Sequence, residues 1–104
     1  MNINDFRLLC TDESIQMTEH AHKRCRERNI KLDEIKQCIS YGEIIEEYPE
    51  DYPFPSALIM ECTVGKPLHI VAGICDNYIW IITAYRPDSV KWENDFKTRK
   101  EQQI

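Results

Sequence analysis

The stretch LHIVAGICDNYIWIITAY, residues 68–85, decides the fold class because it contains two apolar runs joined by two polar residues. Both runs are rich in isoleucine, valine and aromatic side chains, which is typical of β-strands. Asp76 and Asn77 predict a tight turn between them, so the two strands should pair antiparallel. The second run, Tyr78–Tyr85, is strongly apolar and is therefore expected in the middle of the sheet.

Two further strands are predicted ahead of this hairpin. Glu43–Tyr48 and residues 57–64 have a period of two, and residues 65–67 (GKP) are expected to turn the chain into the hairpin. Three prolines in residues 49–55 (PEDYPFP) predict a loop between these strands. The four strands follow one another directly, which indicates an antiparallel meander.

Helices are predicted in the first part of the chain. Residues 3–10 can form a short helix, and Thr18 is a good N-cap for the next one. Asn29 suits the left-handed residue that ends this second helix. Leu32–Tyr41 forms a third helix, closed by Gly42.

Helices followed by strands predict an α+β fold, in which the N-terminal helices pack across one face of an antiparallel sheet of about four strands. Beyond Asp88, we expect Val90, Trp92 and Phe96 to anchor a tail that ends in a polar helical segment. A length of 104 residues predicts a single domain, 1–104.

Composition narrows the function classes. No apolar run reaches the ~18 residues of a membrane span, and Asp5 and Arg7 interrupt the position where a signal peptide needs an apolar core. The chain is therefore expected to be cytoplasmic, with no membrane contact. The five cysteines show no C-x-x-C spacing and are expected to be buried, reduced thiols.

Charge is distributed unevenly along the chain. A net charge of −5 disfavours a general nucleic-acid binder, because phosphate contacts need Lys and Arg. Residues 19–36 nevertheless carry six Lys or Arg against four Asp or Glu, whereas residues 43–62 carry six acids and no Lys or Arg. One part of the surface can attract a phosphate while another repels it.

The second helix carries the first candidate cluster. At ~100° per residue, His20, Arg24 and Arg28 fall within about 80° of one another, beside a thin apolar seam formed by Ala21 and Cys25. Arginine offers planar donors that suit phosphate, and histidine titrates near neutral pH. The alternative is structural: these arginines can pair with carboxylates of the acidic segment, and the histidine can serve the fold.

The second cluster lies in the predicted strands. His69 interrupts a mostly apolar strand, and Tyr85 and Arg86 end the last one. If the second helix packs on the sheet face that carries His69, the two clusters meet. The predicted site is then, for catalysis, His20, His69 and Tyr85, and, for phosphate or substrate binding, Arg24, Arg28 and Arg86.

This set contains the groups needed to cleave RNA without a metal. One histidine removes the 2′-OH proton, the other histidine or Tyr85 protonates the leaving oxygen, and arginines stabilise the phosphorane. No metal and no cofactor is expected. His20 and His22 point about 200° apart on a helix, which does not suit a zinc pair.

Four motifs occur in order along the chain: TEHAHKRCRERNI (18–30), GEIIEEY (42–48), PLHIV (67–71) and ITAYRP (82–87), followed by Trp92. Together they resemble the small bacterial family of domain of unknown function 4258 over residues about 15–96. Its fold is similar to that of the RelE-type and BrnT-type (BECR-type) toxins, which are ribonucleases encoded beside antitoxins. The resemblance implies an RNA substrate and a cognate antitoxin as partners. The residues that the family pattern covers are His20, Arg24, Glu27, Arg28, His69, Tyr85 and Pro87.

Two classes of function follow from these observations. The leading hypothesis is a toxin-like, metal-independent endoribonuclease of a toxin–antitoxin pair. The alternative is a non-enzymatic protein-binding module whose acidic residues 43–62 engage a basic partner, or a degenerate member of the fold with a structural His/Arg network.

Overall fold

The computed structural model describes residues 1–63 and 66–101. The chain forms an α+β fold with three helices and one five-stranded sheet over these residues. The elements in chain order are α1 (Ile3–Leu8), β1 (Ile15–Met17), α2 (Glu19–Glu27), α3 (Leu32–Tyr41), β2 (Glu43–Tyr48), β3 (Ser56–Thr63), β4 (Lys66–Cys75) and β5 (Tyr78–Tyr85). Within the described residues, no helix is both long and apolar enough to cross a membrane.

The strand order in the sheet is β1-β5-β4-β3-β2. The predicted antiparallel meander is confirmed for β2 to β5, and β5 is an interior strand. The sheet has five strands rather than about four, because β1 pairs with β5 in parallel. Three residues are too few to show a period of two, which is why the sequence pattern missed β1.

The turn of the β4–β5 hairpin has the geometry that its two residues predict. Asp76 and Asn77 have φ angles of 53° and 65°. A two-residue type I′ turn needs positive φ at both positions, and Asp and Asn tolerate it better than other side chains do. The pairing of β4 with β5 shifts once, at a β-bulge between Val71 and Ala72. Past this bulge, His69 lies directly opposite Tyr85.

The core lies between the helices and one face of the sheet. Ala21 and Cys25 of α2 are 0% and 4% exposed, so the thin apolar seam predicted for this helix does face the core. The same cluster of buried residues contains Ile70 and Ala72 of β4. Because side chains alternate along a strand, the helices cover the face opposite His69.

The predicted composite site required α2 to pack on the sheet face that carries His69. Helix α2 packs on the opposite face, so this requirement is not met. An apolar seam such as that of α2 offers no hydrogen-bond partner to an imidazole, whereas it packs closely against isoleucine and alanine side chains.

The ends of α2 follow their sequence signals. The Thr18 hydroxyl oxygen accepts the Ala21 N–H at 3.0 Å, and this bond satisfies one of the free donors of the first turn. Asn29 has a φ angle of 55°, the left-handed conformation predicted for it.

The connection between β3 and β4 differs from its prediction. Lys66 and Pro67, which were expected in a turn, are the first two residues of β4, and Thr63 pairs with Lys66. Residues 64–65, which hold the end of the predicted strand and the predicted turn glycine, lie outside the described residues.

The C-terminal segment, residues 88–101, contains no helix, so the predicted polar helical segment is wrong for these residues. The segment instead doubles back on itself, with a β-bridge between Trp92 and Arg99. The Asp95 carboxylate accepts hydrogen bonds from the backbone N–H groups of Lys97 and Thr98. An aspartate that bonds to nearby backbone favours a turn over a helix.

This C-terminal segment covers part of the sheet face that carries His69. Trp92 is 3% exposed and packs edge-on against the His69 ring, with 4.5 Å between the ring centroids. Trp92 is thus an anchor, as its sequence predicts. Val90 is not an anchor, because 79% of it is exposed.

All five cysteines are free thiols, but they are not all buried. Cys25 and Cys38 are buried, and burial raises the pKa of the Cys38 thiol to about 12. Cys62 is exposed on β3, contrary to the expectation from its sequence.

We expect Gly42→Ala to lower the free energy of unfolding by about 2 kcal/mol. A Cβ at Gly42 would lie 2.3 Å from the carbonyl oxygen of Cys38 and 2.6 Å from that of Met60. Both atoms belong to the backbone and cannot rotate away. Denaturant unfolding measures the loss. Gln37→Ala, on the exposed side of α3, is the matched control and should cost less than about 0.5 kcal/mol. Equal losses of stability in the two variants would contradict the close approach of the backbone to Gly42.

Candidate functional site

A buried histidine and a tyrosine lie side by side on β4 and β5. His69 is 0% exposed, and its two ring nitrogens both have partners. Nδ1 lies 3.2 Å from the Tyr85 hydroxyl, and Nε2 lies 2.6 Å from the carbonyl oxygen of Phe96 in the C-terminal segment.

The Phe96 carbonyl determines which nitrogen of His69 carries the proton. A carbonyl oxygen only accepts hydrogen bonds, so Nε2 donates to it. Burial lowers the pKa of His69, with the Phe96 bond partly offsetting this effect, and the ring is therefore neutral at pH 7. Nδ1 then has a free lone pair, and the Tyr85 hydroxyl donates to it. Burial raises the pKa of Tyr85, which keeps the phenol protonated.

Tyr85 also lines a surface cavity of about 580 Å³. Three parts of the chain meet there: the end of α2, the residues just after β5 and the C-terminal segment. Four of the eight lining residues are cationic and one is acidic, so the lining has a net positive charge although the whole chain is acidic. The lining residues are Arg28, Tyr85, Arg86, Pro87, Asp88, Lys91, Trp92 and Arg99.

Each arginine of the cavity is held in a different way. Arg28 donates to the carbonyl oxygen of Ala84 at 2.8 Å, and within the described residues it has no carboxylate partner. The Arg86 guanidinium pairs with Glu34 of α3 at 2.7 Å. Arg28 is therefore the arginine whose positive charge is least compensated by the protein.

Arg99, which also lines the cavity, is fixed by two contacts. Its guanidinium donates to both carboxylate oxygens of Glu46, at 2.8 and 3.1 Å. It also lies over the Trp92 ring, 4.6 Å from the ring centroid, which is a cation–π geometry. The C-terminal segment thus brings Arg99 to the cavity in a defined orientation.

Strand β2 supplies the carboxylates that hold the C-terminal segment. Glu43 pairs with Lys97 at 3.0 Å and Glu46 pairs with Arg99. Glu47 pairs with the amino group of Met1. Much of the acidic surface predicted for residues 43–62 is therefore neutralised by the chain itself.

The predicted site residues separate into two groups. Arg28, Tyr85 and Arg86 lie together at the cavity, with His69 directly behind Tyr85. His20 is exposed and lies about 12 Å from Arg28 along the helix axis, from the rise of an α-helix.

Arg24, like His20, does not line the cavity. Its guanidinium pairs with Glu27 of the same helix at 2.9 Å. The roles assigned to His20 and Arg24 stay predictions, and neither residue is among those that line the cavity.

Sequence reasoning missed Lys91 and Arg99 as parts of this site. The expected helix in the C-terminal segment concealed them, because a helix would carry these basic residues into solvent. A usable signal did exist: the basic run KTRK, residues 97–100, complements the acidic run of β2 in charge. No cluster of three His, Cys, Asp or Glu side chains in the described part of the chain is placed to hold a metal ion.

The family model of the Domain of unknown function (DUF4258) matches residues 17–86. The chain belongs to this family. No curated protein and no solved structure gives a significant match. The resemblance to RelE-type toxins therefore stays a prediction. The match runs from the end of β1 to Arg86, so Lys91, Trp92 and Arg99 of the DUF4258 chain lie outside it.

We expect the free energy of unfolding to fall between pH 7.5 and pH 5.5 because of His69. Its pKa is lowered in the folded state, so the unfolded chain binds the proton first as the pH falls below the ordinary histidine value of about 6.5. Denaturant unfolding at both pH values measures this difference. His69→Gln should flatten the dependence, whereas His22→Gln, which removes an exposed histidine, should keep it. A slope unchanged by His69→Gln would mean that other groups cause it.

Proposed function

We propose that this protein is a metal-independent endoribonuclease with its active site at the Tyr85 cavity. The observation that carries the proposal is the convergence of four cationic side chains around a tyrosine whose hydroxyl is bonded to a buried histidine. A phosphodiester needs positive charge at its oxygens and a group that moves a proton, and this cavity has both.

The phosphate is bound chiefly by Arg28. Its guanidinium carries donors beyond the one used on Ala84, and no described carboxylate competes for them. Arg99 and Lys91 of the C-terminal segment also line the cavity. Guanidinium groups bind phosphate through paired N–H donors, so these side chains can follow the charge as it develops on the phosphorane.

Tyr85 transfers the proton, and His69 acts on Tyr85 through the hydrogen bond between them. The 2′-oxygen forms a bond to phosphorus while its proton passes to the Tyr85 oxygen, and the hydroxyl proton of Tyr85 moves to Nδ1 of His69. The bond from phosphorus to the 5′-oxygen breaks, and the proton returns through Tyr85 to that oxygen. The products are a 2′,3′-cyclic phosphate and a 5′-hydroxyl, and no further reactant is consumed.

This mechanism changes the role expected for His69. At 0% exposure the imidazole does not touch substrate, so it acts through Tyr85 as a positioning residue. The catalytic residue is Tyr85. His20 has no step in this mechanism.

The proposal includes the toxin role implied by the family resemblance. A ribonuclease acting in the cytoplasm on cellular RNA would arrest growth, and a cell that makes it needs an inhibitory partner, the expected antitoxin. Expression of the chain in a bacterium should stop growth, and Tyr85→Phe should restore it at equal protein level.

A second candidate is an anion-binding module without chemistry. The complete burial of His69 favours this candidate. An imidazole that is closed off from solvent and hydrogen-bonded at both ring nitrogens can also serve only to stabilise the fold. The protein-binding alternative based on acidic residues 43–62 has less support, because Glu43 and Glu46 are already paired with the C-terminal segment.

We expect the purified protein to cleave a single-stranded RNA in the presence of EDTA, and Tyr85→Phe to reduce the rate about 100-fold by removing the proton carrier. Arg28→Ala should raise KM about tenfold, because it removes a charged phosphate contact. Lys23→Ala, on the exposed side of the same helix, is the matched control and should leave both constants unchanged. Cleavage is followed with a fluorophore–quencher RNA, and the cyclic-phosphate end is identified by mass spectrometry.

The outcomes separate the two candidates. RNA that binds through Arg28 but is not cut would support the anion-binding module and contradict the nuclease. Cleavage that survives Tyr85→Phe in a folded protein would contradict the mechanism. Absence of both binding and cleavage would contradict both candidates.

A further inference from the structure

A second cavity lies between β1, α2 and the start of α3. Its volume is about 490 Å³. It shares no lining residue with the Tyr85 cavity. The lining residues are Ile15, Gln16, Met17, His22, Cys25, Arg26, Ile30 and Leu32.

One wall of this groove is the free side of an edge strand. β1 pairs only with β5 among the described strands. The Ser14 carbonyl accepts from Ile79 N–H at 2.8 Å, and Thr18 N–H donates to the Ile81 carbonyl at 3.2 Å. Because backbone groups alternate along a strand, the N–H and C=O of Met17 point away from β5, towards the groove.

The floor of the groove is apolar and its rim is basic. Ile15, Cys25 and Ile30 are 8%, 4% and 5% exposed and form the floor. His22 and Arg26 are exposed, and they lie one turn apart on the side of α2 that borders the groove. Within residues 1–63 and 66–101, neither forms an ion pair with a carboxylate.

We propose that this groove binds an extended acidic segment of a partner protein, which adds to β1 as a sixth strand. The Met17 backbone supplies hydrogen bonds to the added strand. Alternate apolar side chains of the segment occupy the floor, and its carboxylates meet His22 and Arg26 at the rim. The charge of the rim selects an acidic occupant, and the free strand edge selects an extended one.

A second copy of this chain fits the groove less well. Its own acidic edge strand is β2, but Glu43 and Glu46 of that strand are already paired with Lys97 and Arg99. These carboxylates are already compensated within the chain, so β2 would offer little free negative charge to His22 and Arg26 of another copy. The occupant is therefore a different protein, and this interaction is independent of the proposed nuclease activity.

The test uses the full chain and a short fluorescein-labelled peptide of alternating glutamate and valine, followed by fluorescence anisotropy and by amide NMR shifts. We expect binding in the micromolar to sub-millimolar range, with the largest shifts at Ile15 and Met17. A peptide with lysine in place of glutamate should not bind.

Two variants test parts of the groove, and a third is the control outside it. Arg26→Glu should weaken binding about tenfold through charge repulsion, and Met17→Pro should do the same by removing the outward N–H. Lys23→Glu makes the same charge change on α2 outside the groove lining, and it should weaken binding less than about twofold.

Several results would overturn the inference. No binding at about 1 mM peptide would do so, as would equal effects of Arg26→Glu and Lys23→Glu. NMR shifts confined to residues outside the groove would place the peptide elsewhere. Light scattering that shows a dimer or filament of the free chain, abolished by Arg26→Glu, would assign the groove to a second copy instead.

Discussion

A buried imidazole must satisfy both of its ring nitrogens without water, and this requirement at His69 organises one face of the sheet. The Tyr85 hydroxyl satisfies one nitrogen and the Phe96 carbonyl satisfies the other. Phe96 has a φ angle of 55°, which is uncommon for an aromatic residue, and this backbone conformation accompanies the bond of its carbonyl to the ring. Trp92 packs edge-on against the same ring. Displacing the C-terminal segment would remove both the Phe96 hydrogen bond and the Trp92 contact, so the segment is tied to the sheet by more than surface ion pairs.

The two faces of the sheet contribute differently to the protein, because different parts of the chain cover them. Helices α2 and α3 cover the apolar face, and their buried residues form the core together with those of the strands. The opposite face carries His69 and Tyr85, and the C-terminal segment covers part of it. Residues 17–86, the part matched by the family model, therefore contain the scaffold together with Arg28, Tyr85 and Arg86. The remaining cations of the cavity come from the segment that β2 holds through Glu43 and Glu46.

Net charge is a poor guide to the local electrostatics of this protein. The chain carries a net charge of −5, but its fold pairs acids of β2 with bases of the C-terminal segment. Arg28 and Lys91 are left beside a cavity with one acidic lining residue. Both charged runs stand in the sequence, and the sequence predicts Arg28, Tyr85 and Arg86 as site residues. It did not show that the two runs meet, because an exposed ion pair between distant residues leaves no periodic pattern.

Local interactions decided what could be derived from the sequence by itself. The β4–β5 hairpin, the Asp76-Asn77 turn, the Thr18 cap and the α+β class depend on residues close together in the chain, where periodicity and backbone preference act directly. Tertiary structure alone decided three features: the parallel pairing of β1, the sheet face on which α2 packs, and the path of the C-terminal segment. Each depends on contacts between distant residues. Alternation distinguishes the two faces of a strand, but only the packing of complementary surfaces decides which face the helices cover.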